Sequence, residues 1–205
     1  MKFILVLIMS MSSAFAVEND IAAWLGTFIK KPLNQKYSIW MDAQVRYSLD
    51  EGETAQTLYR TGLLYQYDEN IEYGLLYANF QTSGISEHRP TLELRQNFGV
   101  YRDLKLSSRA RAELRVFEDE SNDHLRGRYL LRLDTENDYI VWDEVFLNVT
   151  NNKKRDGDFF DQNWLFIGKK IEFKEFNIEA GYLNQYIPFE DQSVMEHVAV
   201  LYMFL

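Results

Sequence analysis

Apolar and polar residues alternate with a period of two along most of this chain. From Tyr37 to Tyr47, the residues Tyr37, Ile39, Met41, Ala43, Val45 and Tyr47 interleave with Ser38, Trp40, Asp42, Gln44 and Arg46. Successive side chains of a strand point to opposite faces, so this pattern predicts a strand with one apolar and one polar side. Its length suits a strand tilted across a bilayer, and a Tyr at each end suits the two membrane interfaces. The pattern returns at 57 to 67, 71 to 80 and 89 to 98, and then with strong charge on one side at 104 to 117 and 124 to 135. Further segments lie at 140 to 149, 162 to 173, 176 to 186 and 195 to 205, with one more at 21 to 30. The fold class expected is all-β, a closed antiparallel transmembrane β-barrel. Single-chain bacterial barrels normally have an even number of strands, with short turns at one end and longer loops at the other. The longer connections fall at 48 to 54, 81 to 87, 118 to 123, 150 to 161 and 187 to 194. That order favours ten spanning strands from Tyr37 onward, with 21 to 30 as a plug or partial strand, and leaves twelve as the alternative.

Residues 1 to 16 read as a secretory signal: Lys2, an apolar stretch from Phe3 to Met11, then Ala14-Phe15-Ala16 with small residues where a signal peptidase needs them. Residues 17 to 205 then form one domain, the barrel, located in the outer membrane. After Val17 no apolar run reaches the 18 residues of a membrane-spanning helix. The absence of cysteine removes disulfides from the account. A net charge of −9, more acidic still once Lys2 is gone, excludes a nucleic-acid partner, which would call for a basic face. Aromatic residues make up 15% of the chain, including 13 Tyr and 14 Phe, as strands and membrane interfaces favour. The last segment alternates through Val198, Val200, Tyr202 and Phe204, one place short of the terminal aromatic residue usual in outer-membrane barrels.

Several short motifs together resemble the bacterial domain-of-unknown-function family 2490, a group of small outer-membrane barrels without an assigned activity. They are Trp24-Leu25-Gly26, Glu87-His88-Arg89, Arg109-x-Arg111, Asp143-Glu144-Val145-Phe146 and Gly181-Tyr182. Asn163-Trp164 stands where the resemblance implies an Asn-Arg pair. The resemblance implies fold and location and supplies no mechanism.

Charge on the inward faces is the most specific chemical feature. The alternation places Arg46, Arg60, Arg89, Arg95, Arg109, Arg111, Arg115, Arg126, Arg128 and Arg132 inside, facing Asp42, Glu72, Glu93, Glu113, Asp134 and Glu144. A barrel this small is filled by its own side chains. The favoured reading is therefore an arginine-carboxylate network that closes the lumen. A narrow, anion-preferring, porin-like channel is the alternative, because rings of arginine select anions. A lipid-modifying outer-membrane enzyme is another, since Ser86, Glu87 and His88, or Ser193, Glu196 and His197, hold the atoms of a nucleophile, an acid and a base. A soluble lipocalin-like barrel is disfavoured, because its apolar face would turn inward. Acidic clusters at Asp50, Glu51 and Glu53, at Glu118, Asp119, Glu120 and Asp123, and at Asp156, Asp158 and Asp161 lack an EF-hand spacing and read as solvated loops. No catalytic residue, metal or cofactor is assigned. Ser108, Ala110 and Ala112 put small residues on an outward face, a candidate interface for a homo-oligomer. The expected function is a structural, lipid-interacting or oligomer-forming envelope component, with outer-membrane lipids and lipopolysaccharide as partners.

Overall fold

A computed structural model describes residues 17–82, 84–118, 123–150, 159–189 and 193–205. The expected signal segment lies outside them. Eleven strands among the described residues close into a barrel: β1 (Val17–Pro32), β2 (Tyr37–Ser48), β3 (Glu53–Gln66), β4 (Ile71–Thr82), β5 (Ile85–Tyr101), β6 (Leu104–Phe117), β7 (His124–Thr135), β8 (Tyr139–Asn148), β9 (Phe160–Glu172), β10 (Asn177–Ile187) and β11 (Ser193–Phe204). Each strand pairs with its chain neighbours in antiparallel fashion. Closure joins β1 to β11 in parallel, in register from Val17 opposite Ser193 to Phe28 opposite Phe204.

The strand number is thus odd, one more than the ten favoured above, and 21 to 30 is neither a plug nor a partial strand. It lies inside the longest strand but one, and it completes the ring. Parallel pairing is slightly weaker per residue than antiparallel pairing, but an open edge would leave a whole row of backbone groups unpaired. Leu205 prolongs the seam, its N–H donating to Phe28 O at 2.8 Å and its carbonyl accepting from Lys30 N at 3.3 Å. The even-number expectation and the loop order, not the residue pattern, set 21 to 30 aside; as a strand it buries Ala22 and Trp24 inside while Ile21 and Leu25 are exposed outside.

Turn chemistry sets the two ends apart. At one end, Asn34 Oδ1 accepts from the backbone N–H of Lys36 and Tyr37, both at 2.9 Å, and Asp68 Oδ1 accepts from those of Asn70 and Ile71, both at 2.8 Å. Between β5 and β6 only Arg102 and Asp103 intervene, both with positive φ (48° and 67°), the two-residue turn whose twist matches that of the flanking strands. Gly99, at φ 86°, permits the register shift that β5 makes against β6 just before it. At the opposite end the long connections are those from β6 to β7, β8 to β9 and β10 to β11; the loops expected at 48 to 54 and 81 to 87 shrink, β2 running to Ser48 and β3 starting at Glu53, β4 running to Thr82 and β5 starting at Ile85.

The pair Gly168 and Gly181 lies face to face across β9 and β10, and the ring of Phe166 crosses both, so that a Cβ on either would collide with ring and backbone. Phe166 in turn stacks on Trp142 with centroids 5.1 Å apart. Gly181→Val is therefore expected to destabilise the barrel by about 1–3 kcal/mol, read as a lower urea midpoint, whereas Gly127→Ala, whose added Cβ meets its nearest neighbour, Val149, at an ordinary 3.5 Å, leaves the midpoint nearly unchanged.

Candidate functional site

The barrel interior divides into a charged side and an apolar side. On β5 to β7 the inward residues are mostly arginine and carboxylates, joined by Glu72 of β4 and Glu144 of β8, because each strand contributes every second residue. Glu113 accepts from Arg126 Nη2 at 2.7 Å and Arg128 Nη1 at 2.9 Å. Glu144 accepts from Arg128 Nη2 at 2.7 Å and Arg109 Nη2 at 3.1 Å. Glu93 accepts from Arg111 and, at 2.5 Å, from Arg95 Nε. Glu87 receives two forked guanidinium groups, from Arg89 at 2.5 and 2.6 Å and from Arg115 at 2.5 and 2.9 Å. Arg132 joins Asp134 on its own strand to Glu179 on β10, with closest approaches of 2.7 and 2.6 Å, and Arg60 lies 3.7 Å from Asp42. Glu113 is only 2% exposed, so these are desolvated charges, stable because each has opposite charges and donors around it.

The apolar side is built from β1 and β7 to β11. Trp24, Leu130, Ile140, Trp142, Phe146, Trp164, Phe166, Leu183, Val198 and Val200 form one buried cluster, with Trp24 edge-on to Trp164 at 4.9 Å. Guanidinium groups lie on aromatic faces where the two sides meet. Arg46, on β2, sits 3.9 Å above the Trp24 ring and 5.1 Å above that of Trp164. Arg128, from β7, sits over Phe146 at 4.3 Å and over Trp164 at 5.4 Å. Side chains from β2, β7 and β9 therefore meet at mid-lumen, in contacts that suit weakly hydrated guanidinium groups.

All the residues expected in the lumen network take part in ion pairs except Arg46, which has no carboxylate within 4 Å among the described residues. Four partners escaped the sequence reading. Lys30 reaches Glu72 from β1, Glu179 accepts from Arg132, Asp161 accepts from Arg126 at 3.1 Å, and Glu87 turns inward. The sequence reading puts Asp161 in a solvated acidic loop and Glu87 with His88 only in the enzyme alternative; both instead face the lumen near the starts of β9 and β5. The alternation of Glu87 with Arg89 carried that signal; for Asp161 the strand begins earlier than the polar sequence suggests.

A cavity of about 410 Å³ occupies the half of the lumen nearer the short turns, reaching Asn70 in the turn between β3 and β4. Its walls include Arg95, Arg109 and Arg111 from β5 and β6 and, across the lumen, Phe28, Trp40, Tyr202 and Phe204 from β1, β2 and β11, with Arg46 rising from β2 as well.

The two serine-histidine groups do not assemble. His88 contacts Tyr77 Oη through Nδ1 and Glu118 through Nε2 at 2.9 Å, while Ser86 Oγ accepts from Gln81 Nε2 at 2.9 Å. His197 contacts Tyr182 Oη at 2.6 Å and Asn19 Oδ1 at 3.3 Å, while Ser193 contacts Tyr186 Oη at 3.1 Å. Among the described residues no cluster of three or more histidines and carboxylates is arranged to hold a metal ion. Asp50 instead accepts from Ile21 N at 2.5 Å, and Asp119, Glu120, Asp156 and Asp158 lie outside the described residues. Ser108 is buried, so the outward stripe of small residues shrinks to Ala110 and Ala112.

Fold and interior together define a closed β-barrel with a charge-filled lumen. Residues 21–196 match the family described as protein of unknown function (DUF2490), and the chain belongs to that family. No curated protein and no solved structure matches significantly. Every motif behind the resemblance sends a residue into this interior: Trp24 to the apolar cluster, Glu87 with Arg89, Arg109 with Arg111, Glu144 with Phe146, and Gly181 beneath Phe166. Trp164, which replaces the arginine the resemblance implies, also points inward, where it extends the aromatic side.

Removing one acceptor from the network strands its cations. Glu113→Ala is expected to cost about 3–5 kcal/mol in urea unfolding. Lys170→Ala, which breaks the exposed pair with Glu172, leaves the unfolding midpoint unchanged.

Proposed function

We propose that the protein is an integral outer-membrane β-barrel whose lumen is closed, serving a structural and lipid-interacting role in the envelope, with outer-membrane lipids and lipopolysaccharide around it. The observation that carries this reading is the outward face. Each of the eleven strands exposes a large apolar or aromatic side chain there, among them Tyr59 at 63%, Leu75 at 63% and Leu92 at 64%. A barrel surrounded by water would present this belt to solvent at a cost proportional to its area. Exposed Tyr37, Tyr67, Tyr73 and Tyr139 edge the belt near the short turns, and Tyr47, Phe159 and Phe189 lie toward the other end, as interfacial aromatic residues do. The export signal read from residues 1 to 16 supports the same location.

Closure is supported by contacts between opposing walls, Arg46 and Arg128 both lying over Trp164. The anion-pore alternative needs an open path past these side chains. Fractionation should find the protein in the outer membrane, and planar bilayers containing it should show no stable single-channel steps. Recovery in the soluble periplasmic fraction would overturn the location, and reproducible anion-selective steps would overturn the closed lumen.

One interruption of the belt favours self-association. Asp143 and Asn163, hydrogen bonded at 2.6 Å, face outward on β8 and β9, two strands from Ala110 and Ala112. Small residues that admit close approach, together with a polar pair that seeks partners in lipid, suit contact with a second copy. Ala110→Trp is expected to shift an oligomer to monomer in native mass measurements made in mild detergent.

A further inference from the structure

The ion pairs leave particular donors over, and the arginines that carry them border the cavity. Arg46 Nε, Arg95 Nη2, Arg109 Nε and Arg111 Nη2 are each buried with no hydrogen-bond acceptor among the described residues, and all four arginines border the same space. The Arg111 side chain is only 2% exposed. Buried charged donors are costly to leave unmet. The surrounding carboxylates are already engaged: Glu93 by Arg95 and Arg111, Glu144 by Arg109 and Arg128. Arg46 adds a guanidinium with no carboxylate within 4 Å among the described residues, Glu196 acting on it only at longer range.

The facing wall has a different character. Phe28 stacks on Phe204 with centroids 4.8 Å apart and meets Tyr202 edge-on at 5.1 Å, and Trp40 lies beyond at 6.0 Å. A cavity of about 410 Å³ falls within the range of small-molecule sites, which combine apolar walls with a few convergent polar groups. Here cations outnumber carboxylates: Glu72, Glu144 and Glu179 also line the space but are already paired with Lys30, Arg109, Arg128 or Arg132, and guanidinium forks suit oxyanions.

We propose that this cavity is a binding site for a small amphiphilic oxyanion, a carboxylate or phosphate monoester on an apolar body. Its head is held by Arg46, Arg109 and Arg111, its body lies against Phe28, Trp40 and Tyr202, and entry is from the short-turn end. The site needs no membrane and stands apart from the location proposed above. A soluble metabolite and the headgroup of a single-chain lipid share this chemistry.

The test is calorimetric titration of the purified full chain with 2-naphthyl phosphate and 2-naphthoate, with neutral 2-naphthol as the control. Saturable binding of one anion per barrel is expected, absent for naphthol and weakened by salt. Arg46→Gln removes no ion pair, so the barrel retains its network, and it should weaken binding at least tenfold. Ser107→Trp, which fills the cavity on the short-turn side, should abolish it; heat-dependent gel mobility confirms that both variants fold. Displacement of naphthyl phosphate by dodecyl phosphate at a tenfold lower concentration than by phenyl phosphate assigns the lipid source, and equal displacement the soluble one. Absence of saturable anion binding by the unaltered protein, or equal binding by both variants, would overturn the proposal. A protein that purifies without detergent would refute the membrane reading and leave this titration to be run unchanged.

Discussion

The fold depends on burying arginine and glutamate together inside a closed sheet. Glu87, Glu93, Glu113 and Glu144 are each gripped by two arginines, and none of these carboxylates meets appreciable solvent. Such charges are tolerated only when every one is answered, and a closed sheet achieves this by bringing many strands to one axis. Arg132 reaches from β7 to β10 and Lys30 from β1 to β4, contacts that no single hairpin contains. The network accordingly acts as a restraint on closure as well as a filler: a ring of different circumference would separate its partners.

That restraint explains the odd strand count. With β1 in place, Trp24 completes the aromatic cluster against Trp164 and supplies the ring on which Arg46 rests. A ten-stranded ring beginning at β2 would lose Trp24, Phe28 and Lys30 from the interior. The parallel seam with β11 follows from this need for interior volume and for a covered edge, at a modest loss in pairing strength per residue.

The interior also shows how a barrel can be filled at one level and hollow at another. Toward the long loops, Arg89, Arg115, Arg126 and the aromatic cluster meet from several walls. Toward the short turns, smaller or shorter residues such as Ser107, Gln66 and Asn70 leave the cavity. The asymmetry gives the two ends different chemistry, a packed end and an end where cationic donors face an aromatic wall.

The alternation of residues by itself determined the β class, the inward direction of the arginines and the outward belt, because a strand has a period of two and any closed sheet must sort its faces. From Tyr37 onward the strands lie close to where that pattern puts them. The pattern offered residues 21 to 30 as an eleventh segment but did not determine that it closes the ring, because a parallel seam with β11 depends on how the sheet is assembled. Nor did it determine which carboxylate answers which arginine. Glu179, Asp161 and Lys30 find their partners across two or three strands, at a height set by the tilt and stagger of the ring. Register and closure are properties of the assembled sheet, so the pairing of charges, the placing of Arg46 beyond 4 Å of any described carboxylate and the cavity beside it were decided by tertiary structure alone.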